Sequence, residues 1–470
     1  MVMITPEEMA APSELIPSPP AQEDNRSALP QGLSAPLMVV IGSSFLLRLA
    51  GGSTGLLIAV YLKQVVRAEA DQIGFLAAIF YLSELLLAPV FGALSDIRGR
   101  RFFLILGPLV GAIALPVYPI TTVFVFLALG RMLEGVSTAA KVPSALGYLA
   151  DATSGSGKAN AALRGRVMGM YEISFLVGLV GGNVLGGLLG ESVGTNGFYI
   201  ISMIYLLTAA ILFFFVPESL PEAAREHHTS HREAAREAQH PVRTLLVTRY
   251  RSYLQLMKEP ALISFMPAWL AINAVVGLWS IHIQPLMIRS GAANEPNRFA
   301  AQLLDGNFSQ SQVGFLVGGF GMLFMVGIYI WSLFYAHLRK TTMMIASILG
   351  LFLVAVSMLG INNHAPGFPP PWEEWPLTPL LAAGILLVSG FTPVALAYLA
   401  EISEHRVEHR GAVMGLYSVL LGLGQLIGGA GGGVFIRTMN IGFNGLILAT
   451  FILAVVAIVT VFRLRAKYGV

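Results

Sequence analysis

The sequence predicts an all-α membrane protein: twelve transmembrane helices in two pseudo-symmetric six-helix bundles. Of its 470 residues, 55% are apolar and only 12% are charged, against about a quarter charged in a soluble domain. The apolar residues run in blocks of about 20 or more, the length that carries a helix across a hydrocarbon core. Barrel strands would be short and alternate in polarity, whereas a block such as 442–462 is apolar on every side, so helices are the way to satisfy the backbone in lipid. The third observation is internal repetition, set out below.

Residues 1–35 are rich in Pro, Ser and acidic side chains and lack the basic start and apolar core of a secretory signal, so they are expected to form a disordered cytoplasmic tail. Six apolar blocks follow within 36–216: 36–62, 73–95, 102–120, 122–149, 166–190 and 197–216. Residues 217–258 interrupt them with Pro217, Pro221 and charges such as Arg225, Glu226, Arg232 and Glu233 at helical spacing, a solvated central loop. The second set falls within 259–463: 262–288, 312–336, 342–360, 377–399, 411–435 and 442–463, leaving 464–470 as a second tail. Basic residues crowd alternate loops, among them Arg98, Arg100, Arg101, Lys158, Arg164, Arg339, Lys340 and Arg463. If those loops face the cytoplasm, both termini lie inside and the cell membrane is the expected location.

The halves repeat each other. Gln72, Ile73, Gly74, Phe75 and Leu76 open the second span as Gln312, Val313, Gly314, Phe315 and Leu316 open the eighth. Tyr148, Leu149, Ala150 and Asp151 end the fourth as Tyr398, Leu399, Ala400 and Glu401 end the tenth. Arg164, Gly165, Val167, Met168, Gly169 and Tyr171 enter the fifth as Arg410, Gly411, Val413, Met414, Gly415 and Tyr417 enter the eleventh. Parallel repeats of this kind suit two bundles that rock about a central site.

Between spans two and three stands Gly92-Ala-Leu-Ser-Asp96-Ile-Arg98-Gly99-Arg100-Arg101. Two glycines allow a tight turn, Asp96 suits a helix N-terminus, and the arginines can bridge to carboxylates. With the repeated halves, this decapeptide resembles the signature of the major facilitator superfamily, over residues 36–463. The resemblance implies a transporter that works by alternating access, with a cavity lined by spans one, four, seven and ten. It also implies a gate in which Asp96 engages the start of span eleven around Gly411. The arginines also suit a topological role alone.

In span four, Arg131, Glu134, Gly135, Ala139 and Pro143 are similar to the motif of proton-coupled drug exporters in the superfamily. Arg131, Glu134, Thr138 and Lys141 share one face, and Arg48, Glu84 and Glu172 add charges in spans one, two and five. Charges at that depth cost about 2.5–3.5 kcal/mol even on lenient scales. By depth, Arg48 groups with Glu84 and Glu134, and Lys141 with Glu172. Two roles fit: Glu134 or Glu84 takes up a coupling proton beside Arg48 or Arg131, or the six form a static ion-pair network.

Gly178, Gly182, Gly186 and Gly190 in span five, and Gly424, Gly428 and Gly432 in span eleven, form ridges for close helix contact. Exporters of the superfamily usually carry a Gly-Pro step in span five. Here Gly182 is followed by Asn183, which keeps proton-coupled uptake open beside export. The second half offers Asn273, Trp279, His282 and Gln284 in span seven, for substrate contact or, for Trp279 above all, the outer interface.

Other chemistries fare worse. Gly51, Ser53 and Gly55 fit a nucleophile elbow but lie inside a span; His227, His228 and His231 sit in the charged loop without fixed partners. With no cysteine, thiolate sites are excluded, and no phosphate loop is present. The expectation is therefore a non-enzyme without metal or cofactor, likewise without a nucleic-acid partner. It works as a monomer in the bilayer on a small-molecule substrate and protons, with a non-transporting sensor as the rival.

Overall fold

The computed structural model describes residues 34–153, 158–219, 260–289, 299, 301–334, 338–363, 377–404 and 419–468. The first half comprises α1 (Ala35–Tyr61), α2 (Ala70–Arg98), α3 (Arg100–Ala114), the short α4 (Val117–Ile120), α5 (Phe124–Ala152), α6 (Lys158–Val193) and α7 (Gly197–Phe215). In the second come α8 (Pro260–Met287), α9 (Gln310–Phe334), α10 (Lys340–Asn362), α11 (Thr378–Val388), α12 (Phe391–Glu404), α13 (Gly432–Met439) and α14 (Phe443–Tyr468). Helix also fills residues 419–431 ahead of α13, with a π turn at Ile427–Gly431. Ten stretches are long and apolar enough to span a membrane; one of them, Leu163–Phe215, holds both α6 and α7. With α5, whose Arg131, Glu134 and Lys141 dilute its apolar character, the described residues supply the twelve spans expected. Residues 220–258 of the central loop, residues 1–33 of the first tail and the start of span eleven, including Gly411, fall outside the described residues.

Local chemistry accounts for the boundaries. Pro36 occupies the first turn of α1, where its missing N–H costs nothing. That span ends in a π turn, Leu62–Val66, and Arg67 in the left-handed region at φ 57°. The tenth span is broken into α11 and α12 at Ser389–Gly390 rather than continuous. Pro393 has no N–H for the carbonyl of Ser389, and the Trp331 indole donates to the carbonyls of Leu386 and Leu387 at 3.0 and 3.1 Å. The same indole lies against Gly390, where a Cβ would stand 2.5 Å from it, so the break is held by a neighbour that satisfies it.

The repeated word at the start of spans two and eight has a physical basis. The amide of Glu69 donates to Gln72 Oε1 at 3.0 Å, and that of Ser309 to Gln312 Oε1 at 2.8 Å, so each glutamine caps its helix. Two residues on, a Cβ at Gly74 would collide with the Gly429 carbonyl, and one at Gly314 would stand 2.6 Å from that of Asn183. Each glycine thus admits a helix of the opposite half.

The halves meet at the end where α1 finishes and α2 begins. There Gln64 donates to the Arg289 carbonyl at 2.9 Å, Gln310 to Gln64 Oε1 at 3.0 Å, and the Ser311 amide to Glu191 at 3.1 Å. Arg437 pairs with Asp71, and deeper in the bundle Gln284 donates to Asn183 Oδ1 at 2.7 Å. These contacts close the two halves on each other at that end. The opposite end carries the α2–α3 turn described below.

A loop not foreseen from sequence covers the closed end of the second half. Gly306 N donates to the Leu286 carbonyl at 2.7 Å, Leu303 N to that of Asn362 at 2.8 Å, and Gln302 Nε2 to that of Ile441 at 2.8 Å. Asp305 sits in it, 7% exposed, between Lys63 and the Phe443 amide. Burial raises its carboxyl to about 6 from 3.8, against the opposing pull of Lys63 and the Phe443 amide. A carboxyl raised on folding stabilises fully below pH 3.8, and that contribution is lost as pH rises through 6, a cost of about 3 kcal/mol. Asp305→Asn is therefore expected to raise the melting temperature in detergent at pH 7.5 and to leave it nearly unchanged at pH 4.

Candidate functional site

The α2–α3 turn comes first. Gly99 ends α2 and precedes α3 at φ 110°, a conformation side chains rarely adopt. The Glu218 carboxylate lies on its open face and accepts from the amides of Arg100 and Arg101 at 2.9 and 3.2 Å, a carboxylate at the start of α3. Arg100 pairs with Asp96, donates from Nε to Asp151 at 3.1 Å and from Nη1 to Ser95 at 2.8 Å. Its guanidinium passes over Gly147, whose Cβ would stand 2.7 Å from Nε. Arg101 reaches the Phe213 carbonyl at 2.6 Å, Arg98 is exposed, and Gly92 accepts Ser95 Oγ on its carbonyl at 2.8 Å. The cluster ties α2, α3, α5 and the end of α7 together. Glu218 and Asp151 were missed as members; a carboxylate just after a span and another closing the span-four repeat, both beside basic loops, were the available signals.

In the interior, Arg131 and Glu134 form an ion pair at 2.8 Å, and Tyr118 Oη donates to the same carboxylate. Tyr118 reaches it from the short α4, 1% exposed, and the Arg131 guanidinium lies 4.6 Å from the Phe80 ring centroid. A Cβ at Gly135 would stand 2.7 Å from Ser83 Cβ, which brings α5 hard against α2. Tyr118 was not foreseen, because nothing local marks a tyrosine in span three as a partner of span four.

The remaining charges form a second group. Arg48, on α1, stands over the Phe175 ring at 3.6 Å and within electrostatic range of Glu84, Glu172, Tyr171 and Tyr205. Lys141 is 6% exposed, its ammonium 5.3 Å from the Tyr205 ring centroid and in range of Arg48, Glu84 and Glu134. Depth alone grouped it with Glu172; the structure sets it among α1, α2 and α7 instead, and leaves Glu172 exposed near Arg48.

The polar residues of α8 do packing work. Asn273 donates to the Trp269 carbonyl at 2.8 Å, and His282 Nε2 meets the Gly429 carbonyl at 2.7 Å. Trp279 is buried rather than placed at an outer interface, donating to Thr450 Oγ1 at 2.7 Å and stacking on Phe320. Gln284 alone of the four joins the halves, through Asn183. Gly178, Gly182 and Gly186 press on α1, and Gly424, Gly428 and Gly432 on α8, so these ridges build each half internally; Gly190 also meets Gln310 of the second half.

A family model described as Major Facilitator Superfamily matches residues 40–293 and 299–469. The chain is 35% identical over 156 residues to the class C tetracycline resistance protein of Escherichia coli, 33% of this chain and 38% of that protein. The Escherichia coli class B protein is 29% identical over 160 residues, again 38% of its length, so the chain spans well under half of either. It is 22% identical to the quinolone resistance protein NorA of Staphylococcus aureus over 83% of this chain and 87% of that one. Among solved structures, the nucleoside transporter NupG superposes with a TM-score of 0.68 at 14% identity, covering 93% of this chain and 100% of NupG.

Proposed function

The chain belongs to the major facilitator superfamily and is a multi-pass membrane transporter of a small molecule, not an enzyme; from that premise we propose that it exports an amphipathic organic solute in exchange for protons. The observation that carries this reading is the Arg131–Glu134 pair of α5 with Tyr118 of α4 against it. It places a carboxylate able to take a proton beside a fixed cation, at a depth where a charge is retained for use. The relatives aligned here are named for resistance to tetracycline and quinolone, and export is one way a membrane transporter confers resistance. The basic loops support a reading in which both termini and the α2–α3 turn lie on the cytoplasmic side of a cell membrane, with the chain acting as a monomer. The cluster at Asp96, Arg98, Arg100 and Arg101 then stands at the cytoplasmic gate, as the side that closes when the opposite end opens.

Proton-coupled uptake is the second reading, favoured by one feature: the position after Gly182 is Asn183, which holds Gln284 across the halves where exporters carry proline.

Proteoliposomes holding the full chain, given a pH jump and a panel of labelled lipophilic cations, sugars and organic acids, separate these readings. Accumulation against the proton gradient's direction supports export, accumulation along it supports uptake, and binding without movement defeats both. Alternating access has its own test. The chain has no cysteine, and a Cβ at Gly429 would lie 3.9 Å from that of Ala77, within disulfide reach. Ala77→Cys/Gly429→Cys is expected to stop transport on oxidation and regain it on reduction; undiminished transport in the bridged protein would show that this end need not open.

A further inference from the structure

The interior of the first half holds two cations that no carboxylate touches. Among the described residues, the Arg131 charge is met by Glu134 at 2.8 Å. Arg48 and Lys141 have no such partner: neither makes a hydrogen bond or an ion pair within 4 Å, and each instead faces an aromatic ring, Phe175 at 3.6 Å and Tyr205 at 5.3 Å. They are close enough to repel each other, with Glu84 in range of both but in contact with neither. Glu134, also in range of Lys141, is committed to Arg131 and Tyr118, while Glu172 is exposed and in range of Arg48 alone. Like charges brought together inside a bundle without direct counter-charge are costly, and a fold that keeps them uses them. A carboxylate accepts from a guanidinium and an ammonium together, and aromatic rings on either side suit a flat apolar body.

We propose that Arg48 and Lys141 receive an acidic group, a carboxylate or sulfonate, carried on an aromatic body by the transported solute. Glu84 is the counter-charge that keeps the empty site tolerable. The Phe175, Tyr171 and Tyr205 rings hold the apolar part. The proposal rests on the transporter reading, since it names the solute of the same site, and it narrows that solute from amphipathic compounds at large to aromatic acids.

The test uses the full chain in nanodiscs at pH 7.5, with 1-naphthaleneacetate, its methyl ester and 1-naphthylmethylamine as probes, titrated calorimetrically with empty nanodiscs subtracted. The acid is expected to bind at least tenfold more tightly than the ester, and the amine more weakly than either. Arg48→Gln and Lys141→Met should each erase the acid's advantage without moving ester affinity, while Arg48→Lys, which keeps the charge, retains most of it. An ester that binds the wild type as well as the acid, or a preference for the amine, overturns the proposal without recourse to any variant. Transport assays on the same proteins keep the two readings apart. A proton-driven cation flux that persists in Lys141→Met sinks the acid site and leaves export standing. An acid preference with no movement of any probe does the reverse.

Discussion

Glu134→Gln is expected to bring proton-driven accumulation down to the level of empty liposomes, while exchange of labelled for unlabelled solute without a pH gradient continues. Glutamine keeps an acceptor for Tyr118 and fills the same space, but it carries no exchangeable proton. The substitution also leaves the Arg131 guanidinium without its 2.8 Å partner, and stripping one member from a buried pair costs about 3–5 kcal/mol. Folded yield is therefore expected to fall as well. The double variant Arg131→Gln/Glu134→Gln removes both charges and should recover much of that yield without recovering coupling. Intact proton-driven transport in Glu134→Gln would move the proton to Glu84, the other carboxylate of the first-half interior.

The second large effect concerns the seam between α1 and α6. A Cβ at Gly52 would lie 2.6 Å from the Leu179 carbonyl and 3.1 Å from Gly182 Cα, and one at Gly182 only 2.9 Å from Gly52 Cα. Ser53 Oγ bridges the two helices to the Gly182 carbonyl at 2.9 Å. The atoms in the way are backbone, which has no alternative rotamer, so Gly182→Val belongs at or above the upper end of the usual overpacking cost of about 1–3 kcal/mol. Loss of monodisperse protein in detergent is expected, and Gly182→Ala should already lower the melting temperature. Gly55, on the same helix with nothing within 4 Å of its Cβ position, is the contrast: Gly55→Ala should leave melting unchanged. Equal effects at both positions would mean that helix propensity rather than contact decides the outcome.

Most of the architecture was legible because length and repetition are properties of the chain itself. The word shared by residues 72–76 and 312–316 encoded both a helix cap and a point of close approach, and the structure uses it for both. The break at Ser389–Gly390 was not visible, since it depends on an indole 58 residues away from Ser389 that donates to the Leu386 and Leu387 carbonyls at the break. Nor was the loop over the closed end, whose side chains are ordinary and whose partners, Asn362 and Asn444 on other helices and Ile441 between two of them, lie far along the chain. Within the candidate site, the spacing of Arg131 and Glu134 foretold their pairing, because one helix carries both. Tyr118, Glu218 and the company that Lys141 keeps depend on which helices adjoin, and spacing along one segment carries no such information.

The unequal distribution of charge has a consequence for descent. Among the described residues, the interior carboxylates, guanidinium and ammonium groups named for the site lie within α1 to α7, while α8 contributes amides, an indole and an imidazole engaged in packing. On the proposed reading, two halves of one repeat divide their labour, the first carrying the chemistry and the second serving as a shaped wall. Recombination at the central loop would then transmit cargo preference with residues 36–216 alone, so that a hybrid gene inherits its selectivity from the parent of its first half.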